Sequence, residues 1–514
     1  MPNLPIRGLG SVGVVTDIDP YNLPTNAYTR AKNIRFTDGN VTRGPVYRAV
    51  SDAITWNPVF SYGLTALSGY DTVLLVDDTF DIYEFSNGSF TQRFNASSST
   101  AADPTTATTL AAVVYVNRSD QVPVARTPSA TSFTALANWP SNYRTTALRS
   151  FGDFLLALGT VEAGTNFPNR VRFSDPVLAN QVPSTWDETD LTNSAGFNDL
   201  VQMKTPIVDG ATLGANFMVY SQDQVWMMEF VGGTFIFNFR KVFDDCGVIN
   251  QNCIVEVEGR HCDGRVRSYI FNGMNTSLTD ECFVIHNTAL EEIYFCYHTG
   301  DDMALYTDGT HCNRAAVYNY KEDVWSFQDL PNAVSSAEAS VDSVFSYADA
   351  TQTYEDIGGS YHDQDSQSTR RSLIVSSSGG GITSSKIYGI DLVDQGNLAQ
   401  AVDTAVSPAF LLERVGIDLD DQGIELSGYK VISKVYPQVS TANSNATFGF
   451  TFGSSDRANA NPIYSDEVNF NSSDEYKVDT RISGRYLSYK VTSANLKDFA
   501  FSGMDVEVVV TGRR

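Results

Sequence analysis

The densest grouping of reactive side chains lies between positions 246 and 312, where Cys246, Cys253, Cys262, Cys282, Cys296 and Cys312 share the interval with His261, His286, His298 and His311. Thiolates and imidazoles are the ligands zinc prefers, so the grouping raises the question of a metal centre. Zinc sites usually begin with a close pair such as Cys-x-x-Cys, because one short turn must aim two ligands at one ion. Here successive cysteines stand seven, nine, twenty, fourteen and sixteen positions apart, and none form such a pair. Six thiols in 514 residues are also too sparse for a disulfide scaffold. The expectation is reduced, buried thiols serving as small core residues, with no metal and no cofactor.

Acidic side chains offer the other candidate chemistry. Asp418-Leu-Asp-Asp-Gln-Gly423 looks like the start of a calcium loop, but the twelfth position is Tyr429, which cannot supply the bidentate carboxylate. Asp418, Asp420 and Asp421 are therefore read as an acidic hairpin loop. A second acidic stretch holds Glu355, Asp356, Asp363 and Asp365. No Gly-x-Ser-x-Gly elbow, His-Glu-x-x-His or Walker loop occurs, and the five histidines sit in no recognised triad context. Paired carboxylates for glycoside cleavage remain open, since spacing in sequence does not give spacing in space. The chain is expected not to be an enzyme, with no catalytic residue assigned.

Charge narrows the partners. A net charge of −25, without a Lys/Arg block, argues against tight binding of nucleic acid, since phosphate contacts need clustered cations. An acidic wall can instead repel DNA and let it slide past. Met1 to Thr16 carries one Arg and no apolar run of signal-peptide length, and no stretch approaches the roughly 18 apolar residues of a membrane span. Assembly in cytoplasm is the expectation.

The elements that position these residues are read as strands. Charged residues make up only 18%, below the usual 25% or so, while aromatics reach 12%. Residues 1–50 look like an extended arm, broken by Pro2, Pro5, Pro20, Pro24 and Pro45, with one hairpin turning at Asp38-Gly39. From 51 to 400, short aromatic-rich strands and turns recur about every 40 to 60 residues, the spacing of propeller blades. A β-sandwich array is the alternative. Ser97 to Thr109 and Ala348 to Arg371 are expected as loops, and Asn332 to Asp342 comes nearest to a helical pattern. From 401 to 514, six candidate strands predict a small antiparallel sandwich: Phe410 to Val415, Ile424 to Val439, Thr447 to Phe452, Glu467 to Phe470, Tyr486 to Val491 and Met504 to Val510. The predicted fold is all-β: a β-propeller with an N-terminal extended arm and a C-terminal β-sandwich-like domain.

Several stretches carry a resemblance. Pro20-Tyr-Asn-Leu-Pro24, Asn26-Ala and Asn33-Ile-Arg-Phe-Thr-Asp-Gly-Asn-Val-Thr-Arg-Gly44 open the chain. Phe151-Gly-Asp-Phe-Leu-Leu156, Asn169-Arg-Val-Arg-Phe-Ser-Asp175, Trp186 and Phe230-Val-Gly-Gly233 follow, and Gly484-Arg-Tyr-Leu487, Ser502-Gly503 and Gly512-Arg513 close it. This series resembles the tail nozzle proteins of short-tailed bacteriophages, the tail tubular protein B and packaged-DNA stabilisation family. Phe173-Ser174 departs from it, where Trp-Ser is expected. The resemblance implies a virion tail protein: a homo-hexameric ring below the adaptor, with fibre or spike proteins at its side and genomic double-stranded DNA passing through without specific binding. It marks Asn33, Arg35, Phe36, Asp38, Gly39, Arg43 and Gly44 as a structural motif. If the ring reading holds, the acidic loops are candidates for the channel or its gate. The competing readings are a peripheral virion propeller that binds or cleaves host-surface glycan, and a bacterial carbohydrate-binding propeller.

Overall fold

The computed structural model describes residues 3–511 apart from 66–70, 87, 97–103, 191, 234, 264–272, 301–308, 341–369, 380–381, 392–404, 407–408, 421–422, 424–427, 442–445, 459 and 494–498. Among the described residues the chain is strand and turn, with two short 3-10 turns, Pro20–Asn22 and Thr279–Glu281. Local sequence accounts for the strands. Runs such as Val113–Arg118 are rich in β-formers and lie buried. Tight turns set their register. Asp38 and Gly39 both have positive φ, 50° and 73°, and join Thr37 to its partner Asn40. Ala111 and Ala112 do the same between Leu110 and Val113, with φ of 52° and 66°. Two central residues of positive φ match the twist of the strands they connect.

The middle of the chain is a β-propeller. Blade 1 comprises Pro58–Thr65, Asp71–Asp77, Ile82–Ser86 and Ser89–Phe94. Blade 2 comprises Thr105–Leu110, Val113–Arg118, Val124–Arg126 and Thr134–Ala135. Blade 3 runs from Tyr143–Phe151 to Gly196–Asp199, and blade 4 from Ile207–Leu213 to Phe237–Asp244, each a four-stranded antiparallel meander. Blade 5 contributes Ile254–Val257 and Arg260–Asp263. Blades 6 and 7 share one strand, Val324–Ser340. Its first part pairs with Cys312–Asn319 of blade 6 and its second with Arg370–Ser376 of blade 7. The change of partner falls at Asn332, which has φ of 46° and donates from its side chain to Ser377 O at 3.0 Å. Among the described residues, four four-stranded sheets, the two-stranded sheet and the two parts of the long sheet make seven blades. The ring closes where Pro58–Thr65 packs on Val324–Ser340, with Ser61 and Ser335 hydroxyls 2.9 Å apart.

One expectation fails here. Of the stretch expected as a loop from Ser97 to Thr109, residues 97–103 lie outside the described residues, but Thr105–Leu110 is the first strand of blade 2 and is mostly buried. Three of its four threonine hydroxyls find partners: Thr108 meets Ser150 at 2.8 Å, Thr106 accepts from the Leu148 N–H at 3.2 Å and Thr109 meets the Tyr62 hydroxyl at 3.2 Å. Asn332 to Asp342, nearest to a helix in pattern, is extended as far as Ser340, because it must serve as an inner strand of the ring. The expected insertion 348–371 lies outside the described residues up to 369.

The C-terminal region is a two-sheet sandwich with a strand at each of the six predicted places, residues 424–427 of the second lying outside the described residues, and two short strands more among the described residues, Ile463–Tyr464 and Val478–Gly484. One sheet holds Phe410–Ile417, Tyr486–Ser493 and Thr447–Ser455, with Val468–Asn471 at its edge. The other pairs Tyr429–Thr441 with Phe499–Thr511 and Val478–Gly484. Phe410, Phe448, Phe450, Phe499 and Phe501 fill the space between them. The arm is extended, as expected, and supplies strands to both bodies. Asn3–Arg7 and the hairpin Ile34–Thr37/Asn40–Arg43 pair with Phe499–Thr511 in the sandwich. Tyr47–Ala49 lies between Lys386–Ile390 and Ala405–Val406 in blade 7. Arg30–Lys32 lies parallel to the blade 6 strand at Phe327 and antiparallel to Phe410–Ile417, so one hydrogen-bonded sheet runs from the propeller into the sandwich.

Candidate functional site

Ring closure brings inner-strand residues of every blade around one cavity of about 630 Å³ on the propeller axis. A lattice of hydrogen bonds ties four of its walls. Arg149 of blade 3 makes a two-pronged ion pair with Asp209 of blade 4, both contacts at 2.7 Å, and donates to Ala107 O of blade 2 at 3.0 Å. Asn252, just before blade 5, accepts from Arg149 through Oδ1, donates from Nδ2 to Thr105 O at 3.0 Å and donates its backbone N–H to Asp209 Oδ2 at 3.0 Å. Burial alone lowers the Arg149 pKa, but the Asp209 carboxylate outweighs it, so the guanidinium is held above its usual value. Across the cavity Glu281 Oε2 and His311 Nδ1 are 2.7 Å apart. Thr105 is 4% exposed, and its hydroxyl has no hydrogen-bond partner among the described residues.

Of the six cysteines, Cys282 lines this cavity, and none arms it. Cys253, Cys282, Cys296 and Cys312 are buried and Cys246 and Cys262 half-buried. Burial pushes the Cys282 thiol up to about 12 and the Cys253, Cys296 and Cys312 thiols well above their ordinary value. They stay protonated at neutral pH and donate to carbonyls: Cys312 to Glu281 O at 3.1 Å and Cys253 to Cys282 O at 3.2 Å. Among the described residues no group of three or more His, Cys, Asp or Glu is arranged to hold a metal ion.

The motif of the arm lies at the junction of propeller and sandwich, with Asn33, Phe36 and Gly44 buried, Arg35, Gly39 and Arg43 half-buried and Asp38 exposed. Asn33, in the left-handed region at φ 58°, donates to Asp329 Oδ2 at 3.0 Å and to Ala409 O at 2.9 Å, and accepts from the Asp329 N–H at 2.8 Å. Asp329 also meets Lys32 at 2.8 Å. Arg35 reaches Glu292 at 2.8 Å, Asp391 at 2.5 Å and the Tyr294 hydroxyl at 3.1 Å. Burial opposes the Arg35 charge, and Asp391 and Glu292 more than offset it, holding its pKa well above the usual value. Phe36 stacks on Tyr28 with ring centres 5.7 Å apart. Asp38 and Gly39 make the hairpin turn, and Arg43 lies opposite Ile34 across it. A side chain at Gly44 would stand 2.2 Å from Asn33 O. Farther out, Arg414 is 1% exposed and donates to Pro20 O and Leu23 O, both at 2.7 Å, seating the turn of the opening motif. Burial pushes its pKa down to about 10, which leaves it charged at neutral pH. Of the acidic loops, Asp418 is half-buried and accepts from the Asp420 N–H at 3.2 Å, and Asp420 is exposed. Neither lines the axial cavity. Asp421, Glu355, Asp356, Asp363 and Asp365 lie outside the described residues.

No protein-family model matches the chain, and no curated protein matches it. Among solved structures, YCF48 from Cyanidioschyzon merolae aligns at 13% identity and TM-score 0.25, covering 33% of this chain and 55% of that one. The chain thus spans about half the length of that structure. A chain of a mitotic checkpoint complex crystal structure aligns at 9% identity and TM-score 0.31, covering 57% of this chain and 87% of its own. Likeness this weak says nothing of function, and the fold rests on the sheets themselves.

Sequence reasoning placed His311 and Cys312 in a cluster of interest but missed Arg149, Asp209, Asn252 and Thr105. These four come from distant positions, and only closure of the ring makes them neighbours.

Proposed function

We propose that the chain is the nozzle subunit of a short bacteriophage tail. It forms a homo-hexameric ring that extends the DNA channel below the adaptor, retains packaged DNA, releases it on infection and carries fibres or spikes at its side. The observation that carries this reading is the continuous sheet from blade 6 through Arg30–Lys32 into the sandwich, locked by Asn33 and Arg35. The motif that resembles the nozzle family is the joint that makes two bodies one rigid unit, as a load-bearing ring requires. Charge agrees, since −25 per subunit repeated around a ring gives a bore that repels DNA where acids face inward. The axial cavity of about 630 Å³ is too small for a duplex and is laced by Arg149 and Asp209, so a DNA path runs between subunits and not through a propeller.

The test is a particle image at side-chain resolution. An axial, sixfold ring of this chain with Asp and Glu lining the bore supports the nozzle. A peripheral position, or a bore lined by Lys and Arg, overturns it.

A further inference from the structure

Phe237–Asp244 is the outer strand of blade 4, and among the described residues no strand pairs with its outward side. The outer strands of blades 1, 2 and 3 are shorter: Ser89–Phe94, Thr134–Ala135 and Gly196–Asp199. Open edges are usually kept short or polar, because a long apolar one invites another strand. This one has eight residues, with Val242 38% and Phe243 53% exposed. Val242 is the extra residue of a bulge against Val225 and Trp226, so it has no opposite residue inside the blade. The order of side chains selects the partner. Arg240-Lys241-Val242-Phe243-Asp244-Asp245 runs from two cations through two apolar residues to two acids, and all six are exposed. Run antiparallel to itself, this segment is its own electrostatic complement. We propose that a second copy of the chain docks here, edge to edge, about a two-fold axis between Val242 and Phe243. Arg240 then faces the partner's Asp245, Lys241 the partner's Asp244 and Val242 the partner's Phe243, and the symmetry makes each contact twice. An axis between Arg240 and Lys241 would instead set like charges face to face, which is destabilising. Within one copy Arg240 stands 3.6 Å from Glu229 and Lys241 2.6 Å from Asp244. Exposed pairs of this kind hold less than about 1 kcal/mol, so they yield to partners across an interface. Pairing uses up the edge on both copies, so association stops at two. The pair is a state of the free chain that goes beyond the nozzle reading, since a sixfold ring needs a different, head-to-tail contact. The contact is small, so dissociation is expected on the order of 10–100 µM.

The test is sedimentation equilibrium of the full chain from about 1 to 300 µM, where monomer and dimer alone are expected. Phe243→Glu places a charge at the apolar centre and should weaken pairing roughly tenfold or more. Arg240→Asp and Asp245→Arg should each weaken it roughly threefold or more, since each lost pair counts twice across the axis. Combining them inverts the complement and keeps it, so the double variant should recover the parent's dissociation constant to within about twofold. These positions are exposed, and an unchanged melting temperature is expected. Should Phe243→Glu melt lower, the charge exchange decides. The assignment fails if the chain stays monomeric at about 300 µM, or if folded Phe243→Glu pairs like the parent. It also fails if the double variant does not recover what the single changes lose. A hexamer that forms equally well with Phe243→Glu would support the nozzle ring and overturn this pair. A chain that pairs as described but sits off the axis in the particle image would do the reverse.

Discussion

Arg35 shows what a single residue contributes to the joint. Its side chain is 11% exposed, and its partner Glu292 is 3% exposed. Arg35→Met strands the Glu292 and Asp391 carboxylates in a dry site and should cost about 3–5 kcal/mol, because an unpaired buried charge is far worse than a lost surface pair. Urea unfolding followed by fluorescence measures this, and a loss below about 1 kcal/mol would show the cluster to be solvated. Lys477→Ala removes the exposed pair with Asp479 and should leave the midpoint unmoved. Glu84 sets a pH dependence. Burial raises its pKa, but Arg126 and Arg93, at 2.9 and 2.6 Å, more than offset this and hold it below the ordinary value. The sign follows: an acid depressed in the folded state stabilises above its unfolded pKa of about 4.3, and that stability is lost as pH falls through the folded value. Melting temperature should therefore drop on acidification below about pH 4.3, and Glu84→Gln should start lower at neutral pH and fall less steeply. A variant with the parent's full pH slope would show that the pair adds nothing.

At the scale of elements, the seam between blades 1 and 7 is the sharpest constraint. A Cβ at Gly63 would stand 1.9 Å from Glu338 O, a backbone atom that can move only if the blades part. Gly63→Ala should cost about 3 kcal/mol or more, whereas Gly88→Ala, at φ 74° with open space around it, should cost only the left-handed strain of about 1–2 kcal/mol. Equal losses in thermal unfolding would mean that the seam is loose. What was legible in the sequence divides along the same line. The Asp38-Gly39 hairpin and the six predicted sandwich strands were visible because alternation and turn residues act over a few positions. Thr105–Leu110 was misread as a loop, since Ser/Thr-rich composition does not distinguish a loop from a strand whose hydroxyls have partners. Asn332 to Asp342 carried no sustained helical period, and its described part to Ser340 is strand. Neither the sharing of one strand by two blades nor the pairing of Tyr47–Ala49 with Lys386–Ile390 has a local signature. The axial cavity, assembled from seven blades, was illegible for that reason.

For the whole molecule, the decisive feature is that the arm belongs to everything. Residues 3–49 supply an inner strand of blade 7, the bridge between propeller and sandwich, and three strands of the second sandwich sheet. Two bodies joined only by a linker unfold in separate steps, each with its own midpoint. Here the sheet is continuous across the boundary, and core residues of the arm, Ile6, Tyr28 and Phe36, sit in the same cluster as Phe450 and Val491. Opening either body exposes strand edges and apolar surface of the other, which couples their stabilities. The full chain should therefore melt in one calorimetric transition, with coincident fluorescence and circular dichroism midpoints. Deleting residues 1–49 should abolish that transition: the sandwich loses half of one sheet, blade 7 loses the strand that joins Lys386–Ile390 to Ala405–Val406, and both become sensitive to protease. The informative alternative is a truncated chain whose propeller still melts sharply and resists digestion. That result would make the arm a clasp added to a self-sufficient ring, and stiffness of the joined unit could then no longer support a load-bearing role.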